Sequence, residues 1–228
     1  MRSIILLKKL ENYPLFTEKD LAKIINKSPK YVKTLLYRLN KQDFIKRIER
    51  GKYTLYNDPL IFSTYIMIPS YLSLWTAFRY YNWIQQQPFE IFVVSHINKK
   101  SIRFQNTKIM FFKTKHIFGY KKERYSDFDI FIAEKEKAII DALLFHLPIE
   151  DIINALEDKE IDFIKLAEYS KRTKNVSLIK RLGYILEKKK NNSCGLKALD
   201  NNYIPLDYLK KKKGKKDSKW KLIINTEL

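Results

Sequence analysis

The chain has 228 residues, 45% of them apolar and 14% aromatic, and this composition favours a packed globule over intrinsic disorder. Its 45 basic and 25 acidic side chains give a formal net charge of +20, which indicates a polyanionic partner. The single cysteine, Cys194, excludes an intrachain disulfide and a CxxC zinc site, and it fits a cytoplasmic location. In chain order, the short apolar run that begins at Ile4 predicts an amphipathic first helix and not a signal peptide.

A helix, a short turn and a second helix are predicted next. Thr17, followed three positions later by Asp20, is typical of a capping box, so a support helix begins there and runs to about Asn26. Ser28 and Pro29 give a second start signal, because proline is tolerated at the first helical position after an N-cap hydroxyl. The two helices are therefore expected to be joined by a tight turn.

The second helix is predicted to have one apolar face and one cationic face. Its apolar side chains recur at helical spacing and must be buried; they are Val32, Leu35, Leu36 and Leu39. The opposite face is expected to contact DNA, because a cationic helix after a tight turn is typical of a recognition helix in the major groove. The predicted DNA-binding residues of this segment are Ser28, Lys30, Tyr31, Lys33, Thr34, Tyr37, Arg38 and Lys41.

A basic β-hairpin is predicted after the second helix. Residues 44–48 and 53–56 are rich in β-branched and aromatic side chains, and Gly51 lies in the turn between them. Four of its side chains are expected to contact DNA: Lys46, Arg47, Arg50 and Lys52. The order of these elements predicts a winged helix-turn-helix DNA-binding domain over residues 1–57. A small helical domain whose charged face is simply solvated is the alternative.

The positive charge is concentrated at the two ends of the chain. Residues 1–57 hold 14 basic and 5 acidic side chains, and residues 171–228 hold 17 and 5. This distribution predicts polyanion contacts at the ends and another task between them. The Lys-rich segment at residues 210–216 is expected to be either a flexible solvated loop or a contact with the phosphate backbone.

A second domain is predicted over residues 58–228, after the chain break at Asp58 and Pro59. Strands are expected at residues 89–95, 109–113 and 128–132, and helices at residues 70–81, 134–147, 149–157, 162–171 and 176–190. The β-prone residues 220–225 are expected to return to the body of this domain and tether the Lys-rich segment. The predicted fold class is α+β, with the winged helix-turn-helix followed by a domain of strands and then helices.

Residues 59–78 contain no charged side chain and are long enough to suggest a membrane span. Pro59, Pro69 and five hydroxyl side chains interrupt the run, so it is predicted to form two buried elements joined by a turn. We therefore expect no membrane association.

Several segments resemble the AbiEi family of antitoxins and transcriptional regulators. They are IPSYLSLWTA at residues 68–77, FDIFIA at 128–133, EKEKAIIDAL at 134–143, LGYILE at 182–187, YIPLD at 203–207 and WKLIIN at 220–225. The last three are similar to segments of archaeal-style members. Together with the predicted winged helix, the resemblance covers nearly the whole chain.

The resemblance implies a repressor that binds operator DNA in its own promoter and acts as the antitoxin of an AbiE-like toxin-antitoxin system. In that family the C-terminal domain supports repression and counteracts a nucleotidyltransferase toxin encoded beside it. No catalytic residue is implied. We accordingly expect no enzyme activity, no cofactor and no metal.

Two other classes of function stay open at this stage. A protein-binding antitoxin would use its basic surface to meet an acidic toxin and would not bind an operator. A DNA nuclease with a winged-helix targeting domain would need metal-binding carboxylates, for which Asp127, Asp129, Glu134 and Glu136 are the candidates. The interleaved Lys135 and Lys137 instead favour a solvated helix start, where acidic side chains interact well with the helix dipole.

Overall fold

The computed structural model describes residues 3–85 and 90–228, and within them the protein is a mixed α+β structure. The α+β class expected from the sequence is confirmed. The chain divides into two compact units, and each unit is made of several segments. The first comprises Met1–Leu72, Pro88–Ile117 and Lys122–Ile132, and the second comprises Ser73–Gln87, Phe118–Lys121 and Ala133–Leu228.

Three helices and a small sheet open the first unit. The helices are α1 (Ser3–Leu10), α2 (Glu18–Ile25) and α3 (Pro29–Lys41), and the strands are β1 (Phe16–Thr17), β2 (Lys46–Glu49) and β3 (Lys52–Thr54). Thr17 and Asp20 form the predicted capping box, and Asn26 ends α2 in the left-handed conformation with φ of 50°. Both expected helices are present. The strands lie in the order β1-β3-β2, and all neighbours are antiparallel.

One apolar core holds these N-terminal elements together. Its buried side chains come from all three helices and from both sides of the hairpin: Leu6, Leu10, Phe16, Leu21, Val32, Leu36, Leu39, Ile45 and Tyr53. Leu35 is partly buried against the same core. Burial of this face of α3 follows from its helical periodicity, and the opposite face is left for solvent.

A six-stranded mixed sheet lies almost entirely in the first unit. Its strands are β4 (Ser70–Leu72), β5 (Glu90–Ser95), β6 (Ile102–Phe104), β7 (Thr107–Lys113), β8 (Tyr120–Tyr125) and β9 (Phe128–Ala133). They lie in the order β6-β7-β5-β4-β9-β8. β4 runs antiparallel to β5 and parallel to β9, and β5 runs parallel to β7.

The predicted helix over residues 70–81 is wrong in its first turn. Ser70–Leu72 forms β4, whose three side chains are all buried in the middle of the sheet, and the helix begins only at Leu74. A strand covered on both faces has no apolar-polar alternation, so periodicity could not separate it from the start of a buried helix. The predicted strand start at Phe89 and the first two residues of the predicted N-terminal helix lie outside the described residues.

The two compact units of the structure do not follow the predicted domain boundary between residues 57 and 58. The side chain of Lys99 pairs with Glu49 of the hairpin at 2.7 Å, and the Tyr125 hydroxyl donates a 2.6 Å hydrogen bond to Asp58. Strand β2 also lies against β6. The hairpin, Asp58 and most of the six-stranded sheet therefore lie in one unit, although these partners are 50 and 67 residues apart in the sequence.

The second unit is mainly helical. Its helices are α4 (Leu74–Tyr80), α5 (Lys135–Leu144), α6 (Ile149–Leu156), α7 (Phe163–Arg172) and α8 (Val176–Lys190). Three short strands follow: β10 (Ile204–Pro205), β11 (Lys215–Asp217) and β12 (Leu222–Ile224). The predicted return of residues 220–225 to this unit is confirmed, since β12 is the central strand of the small sheet β10-β12-β11.

Buried charges and indole hydrogen bonds tie the helices of the second unit together. Lys137 and Asp141 form an ion pair that is inaccessible to solvent, and Ser73 donates a 2.8 Å hydrogen bond to Asp141. Burial lowers the pKa of Lys137. Trp75 and Trp83 donate to Asp151 and Asp158 at 3.0 and 2.9 Å. These bonds connect α4 and the residues after it to α6 and to the turn that follows α6.

The uncharged run at residues 59–78 folds within these two units. It contains a short 3₁₀ turn at Ser63–Tyr65, strand β4 and the first residues of α4. Across residues 3–85 and 90–228, no helix combines the length and the apolar character that crossing a bilayer requires. The run therefore holds three elements, where the sequence predicted two joined by a turn.

Trp220 packs directly on the backbone of α8 at Gly183. A Cβ atom at Gly183 would lie 2.1 Å from the Trp220 ring, so no larger residue fits without displacing the indole. Trp220 is 2% exposed, and its indole N–H donates a 2.8 Å hydrogen bond to Glu187 on the same helix. This contact attaches the C-terminal sheet to α8.

We predict that Gly183→Ala destabilises the protein. Alanine normally stabilises an interior helical position by up to about 1 kcal/mol relative to glycine, but overpacking a core costs about 1–3 kcal/mol. Urea unfolding followed by circular dichroism should therefore show a net loss of stability. Combining Gly183→Ala with Trp220→Phe should recover part of that loss, because the smaller ring makes room for the methyl group. A stabilised Gly183→Ala variant would contradict the packing.

Candidate nucleic-acid interface

The exposed face of α3 carries the side chains that the sequence assigns to DNA binding. Ser28 caps the helix by accepting a 3.4 Å hydrogen bond from the Tyr31 N–H, and it lies at the start of this face. Tyr31 is 46% exposed and Tyr37 is 68% exposed. The other predicted residues of this segment are exposed as well: Lys30, Lys33, Thr34, Arg38 and Lys41. The seven predicted residues within α3 are therefore exposed opposite its buried face, and Ser28 caps the start of the helix.

The cations of this face have no counter-ion among residues 3–85 and 90–228. Within the described residues, no carboxylate oxygen lies within 4 Å of the charged groups of Lys30, Lys33, Arg38 or Lys41. Thr34 donates a 3.2 Å hydrogen bond to the Lys30 carbonyl and keeps its oxygen lone pairs available as acceptors. A ligand that supplies negative charge would therefore meet four unpaired cations on one helix face.

The four cations of the hairpin are in different surroundings. Arg50 is exposed at the turn beside Gly51, whose φ of 79° is easily adopted by glycine. Arg47 is exposed, and its Nε donates a 3.4 Å hydrogen bond to the Glu49 carbonyl. Lys46 and Lys52 are only partly exposed and have carboxylate partners.

Glu49 is the acidic centre of the hairpin. Its carboxylate lies 3.0 Å from the Lys52 ammonium and 2.7 Å from that of Lys99, and Lys52 also donates to the Ile66 carbonyl at 2.5 Å. Burial alone would raise the pKa of Glu49, but the hydrogen bonds from Lys99 and Lys52 outweigh burial and hold it below its usual value. Lys52 is therefore engaged within the protein, whereas Arg50 is available at the tip.

A surface notch of about 420 Å³ adjoins the hairpin turn. It is lined by Thr17, Glu18, Lys19, Arg50 and Gly51. Lys19 is exposed on the first turn of α2, and sequence reasoning did not assign it to the interface. No pattern in the sequence links it to Arg50, because the two positions meet only through the pairing of β1 with β3.

Three of the carboxylates proposed for a nuclease, Asp129, Glu134 and Glu136, have cation partners. Asp129 accepts from Lys122 at 2.7 Å and lies 3.6 Å from Arg124, and the hydrogen bond from Lys122 lowers the pKa of its carboxyl. Residues 3–85 and 90–228 contain no group of three His, Cys, Asp or Glu side chains placed to share a metal ion.

The prediction that Glu134 and Glu136 form a solvated helix start is wrong for Glu136. This side chain is 4% exposed, pairs with Lys165 at 3.1 Å and accepts the Asp162 N–H at 3.0 Å. Glu134 accepts a 2.6 Å hydrogen bond from the Tyr169 hydroxyl. Burial and that hydrogen bond raise the pKa of Tyr169 to about 12. The glutamates join α5 to α7, a role that depends on a lysine and a tyrosine far along the chain.

Comparison with known protein families and with characterised proteins found no match to this chain.

We predict a pH-dependent stabilisation from Glu49. Its pKa is lowered from 4.5, so its ion pairs stabilise the protein above that pH and stop doing so as the pH falls through the folded-state pKa. Glu49→Gln should reduce the free energy of unfolding by about 1 kcal/mol at pH 7, since it removes two partly exposed pairs. Urea unfolding over a pH series from 7 downward should show this difference shrinking once the pH falls below 4.5. Glu11→Gln, at an exposed position, is the control, and a Glu49→Gln difference that grows as the pH falls would contradict the assignment.

Proposed function

We propose that the protein is a DNA-binding transcriptional repressor that reads DNA through a winged helix-turn-helix. In this proposal α2 is the support helix, α3 is the recognition helix and the β2–β3 hairpin is the wing. Two features support this proposal. The elements follow each other in the required order, and α2 ends at one residue in the left-handed conformation just before the capped start of α3. A recognition helix needs one buried face and one exposed face with groups that reach base edges and phosphates.

The unpaired cationic face of α3 is the observation that carries this proposal. Four cations and two exposed tyrosines lie on one side of a helix whose other side is anchored in an apolar core. Guanidinium and ammonium groups recognise guanine edges and phosphates, and tyrosine hydroxyls donate to phosphate oxygens. The three lysines of this face favour nucleic acid over a protein partner, because protein interfaces are depleted in lysine.

We further propose that the protein acts in the cytoplasm as the antitoxin of an AbiE-like system and represses its own promoter. This part rests on the segments that resemble the AbiEi family. It implies a nucleotidyltransferase toxin encoded by a neighbouring gene and no enzyme activity of the protein itself. Co-expression with the neighbouring gene tests the idea, since growth arrest by that gene should be relieved by this protein.

A protein-binding antitoxin without an operator is the competing function. It would relieve toxicity while leaving the DNA upstream of its own gene accessible. DNase footprinting of that region separates the two functions, and a protected segment favours the repressor.

Binding to DNA should be strongly salt-dependent. If about six phosphates are neutralised, the logarithm of the association constant should fall with the logarithm of salt concentration at a slope of about −5. Gel-shift titrations over a salt series with the region upstream of the gene provide the measurement. A slope close to zero would remove DNA as the partner.

The residues of α3 should differ in what they contribute. Arg38→Ala should cost about 1–3 kcal/mol of discrimination between operator and scrambled DNA if Arg38 contacts a guanine. Lys33→Ala should weaken binding to both duplexes equally and reduce the salt slope by about 1. Lys9→Ala, at an exposed site on α1, removes the same charge as Lys33→Ala and serves as the control.

One set of results would contradict the assignment of α3 as the recognition helix. Alanine variants at Lys30, Thr34, Tyr37 and Arg38 that melt like the parent protein and bind the operator like the parent would place the recognition surface elsewhere. Thermal melts must accompany each titration, because a destabilised domain would lose affinity for an unrelated reason.

The two wing cations are predicted to behave differently. Arg50→Ala should lower affinity for operator and scrambled DNA alike without changing the melting temperature, since Arg50 is exposed and wing tips usually meet phosphates. Lys52→Ala should instead lower the melting temperature, because it removes the interactions with Glu49 and with the Ile66 carbonyl. Equal effects of the two substitutions on affinity and stability would show that this division is incorrect.

A further inference from the structure

Seven exposed lysines lie together on the second unit, around β11. We refer to them as the lysine platform: Lys210, Lys211, Lys212, Lys213, Lys215, Lys216 and Lys219. They belong to the unit that does not contain α3. The DNA-binding surface proposed above therefore does not account for them.

The backbone of the lysine platform is held by specific hydrogen bonds. The Asn225 amide N–H₂ donates to the carbonyls of Asp207 and Lys211 at 2.8 and 3.1 Å, and the Asn225 side-chain oxygen accepts the Asp207 N–H. Strand β11 pairs with β12, and a Cβ atom at Gly214 would lie 1.9 Å from the Ile224 carbonyl oxygen. The Lys-rich segment is therefore attached to the small sheet at both of its ends, which does not fit the alternative of a free loop.

Most of the charge on the platform is uncompensated. Lys219 lies 2.7 Å from Glu187, and Lys210 lies 3.7 Å from the exposed carboxylate of Glu150. In the part of the chain that the structure describes, the other five ammonium groups have no carboxylate oxygen within 4 Å. Holding so many like charges together without counter-ions is unfavourable unless a polyanion binds there.

We propose that the lysine platform binds the phosphate backbone of duplex DNA without reading its sequence. The identity of the ligand rests on the proposed function. Ammonium groups on flexible side chains contact phosphates as point charges, and each neutralised phosphate releases condensed counter-ions. The platform thus adds affinity and salt dependence to binding, while discrimination between sequences stays with α3.

The composition of the platform favours nucleic acid over a protein or a membrane. Residues 210–219 contain no apolar side chain, whereas helices that lie on membranes bury a broad apolar face. Protein interfaces are enriched in aromatic side chains and depleted in lysine, the opposite of what is found here. A phosphate polyanion needs neither apolar nor aromatic contacts.

The surroundings of Tyr203 favour a duplex over a single strand. Sequence-tolerant binding of single strands uses exposed aromatic rings on which bases stack. Tyr203 is an exposed ring beside the platform, and the ammonium groups of Lys216 and Lys221 lie 5.2 and 5.8 Å from its centroid. These cation–π contacts engage the ring, so it does not offer a stacking site for bases. The platform would therefore bind nucleic acid through the phosphate backbone.

The experiment removes four platform charges and compares the result with a matched change elsewhere. The test variant replaces Lys211, Lys212, Lys213 and Lys215 with glutamine in the full chain. The control replaces four exposed lysines of the same unit outside the platform: Lys159, Lys174, Lys188 and Lys197. Both variants lose the same formal charge. Each variant is titrated over a salt series with four ligands: the duplex upstream of the gene, a scrambled duplex, the corresponding single strands and phosphatidylserine vesicles. A thermal melt of each variant accompanies the titrations.

The platform variant should lose at least about tenfold in affinity for both duplexes, with a salt slope smaller by about 0.9 for each phosphate that it no longer neutralises. The control should change far less, and replacing the same four platform lysines with arginine should restore binding. Equal losses in platform and control variants would overturn the proposal, as would a loss confined to vesicles or to single strands. Different results would contradict the repressor function proposed above. They are α3 variants that bind duplex DNA like the parent protein, or a parent protein that binds no duplex.

Discussion

The burial of one face of α3 decides how the rest of the proposed interface is arranged. Val32, Leu36 and Leu39 are almost inaccessible, and they pack in the same core as Phe16 and Leu21. Because the helix is anchored on that side, rotation that would turn its cations inward is opposed by the loss of a shared core. The position of Arg38 and its neighbours on the outer face is thus a consequence of apolar packing more than of electrostatics.

Charge compensation separates the cations of this protein into two groups. Lys52, Lys99 and Lys165 are engaged with carboxylates inside their own units, and these pairs join distant parts of the chain. The cations of α3 and of the lysine platform are largely without such partners. A high net charge destabilises a compact chain through self-repulsion, so two exposed surfaces that each hold several such cations favour a ligand of opposite charge.

The sequence predicted the elements whose signals are local, and it failed where the deciding interaction is distant. The capping box at Thr17, the start of α3 at Pro29 and the long helix α8 follow from caps and periodicity. β4 was missed because it is buried on both faces, and β8 because its exposed and charged side chains lack a strand pattern. The inclusion of the hairpin in the same unit as the six-stranded sheet depends on Lys99, which no local signal connects to Glu49.

For the candidate site the same contrast holds. The outward face of α3 could be predicted from the sequence. Apolar residues at helical spacing define the buried face, and the residues on the opposite side of the helix must then be exposed. The difference between Arg50 and Lys52 could not, because both are cations next to one turn and only tertiary interactions with Glu49 and Ile66 distinguish them. The role of Glu136 was misassigned for a related reason, as a buried glutamate next to lysines in sequence looks like a solvated one.

The positions of the indole rings have a consequence for how unfolding is observed. All three tryptophans of the chain, Trp75, Trp83 and Trp220, belong to the second unit, and each donates its indole N–H to a carboxylate there. Intrinsic tryptophan fluorescence therefore reports on that unit alone, while the first unit is spectroscopically visible only through its tyrosines and its backbone. Fluorescence and far-ultraviolet signals that change at different denaturant concentrations would reveal two independently melting units, and coincident transitions would show that they unfold as one.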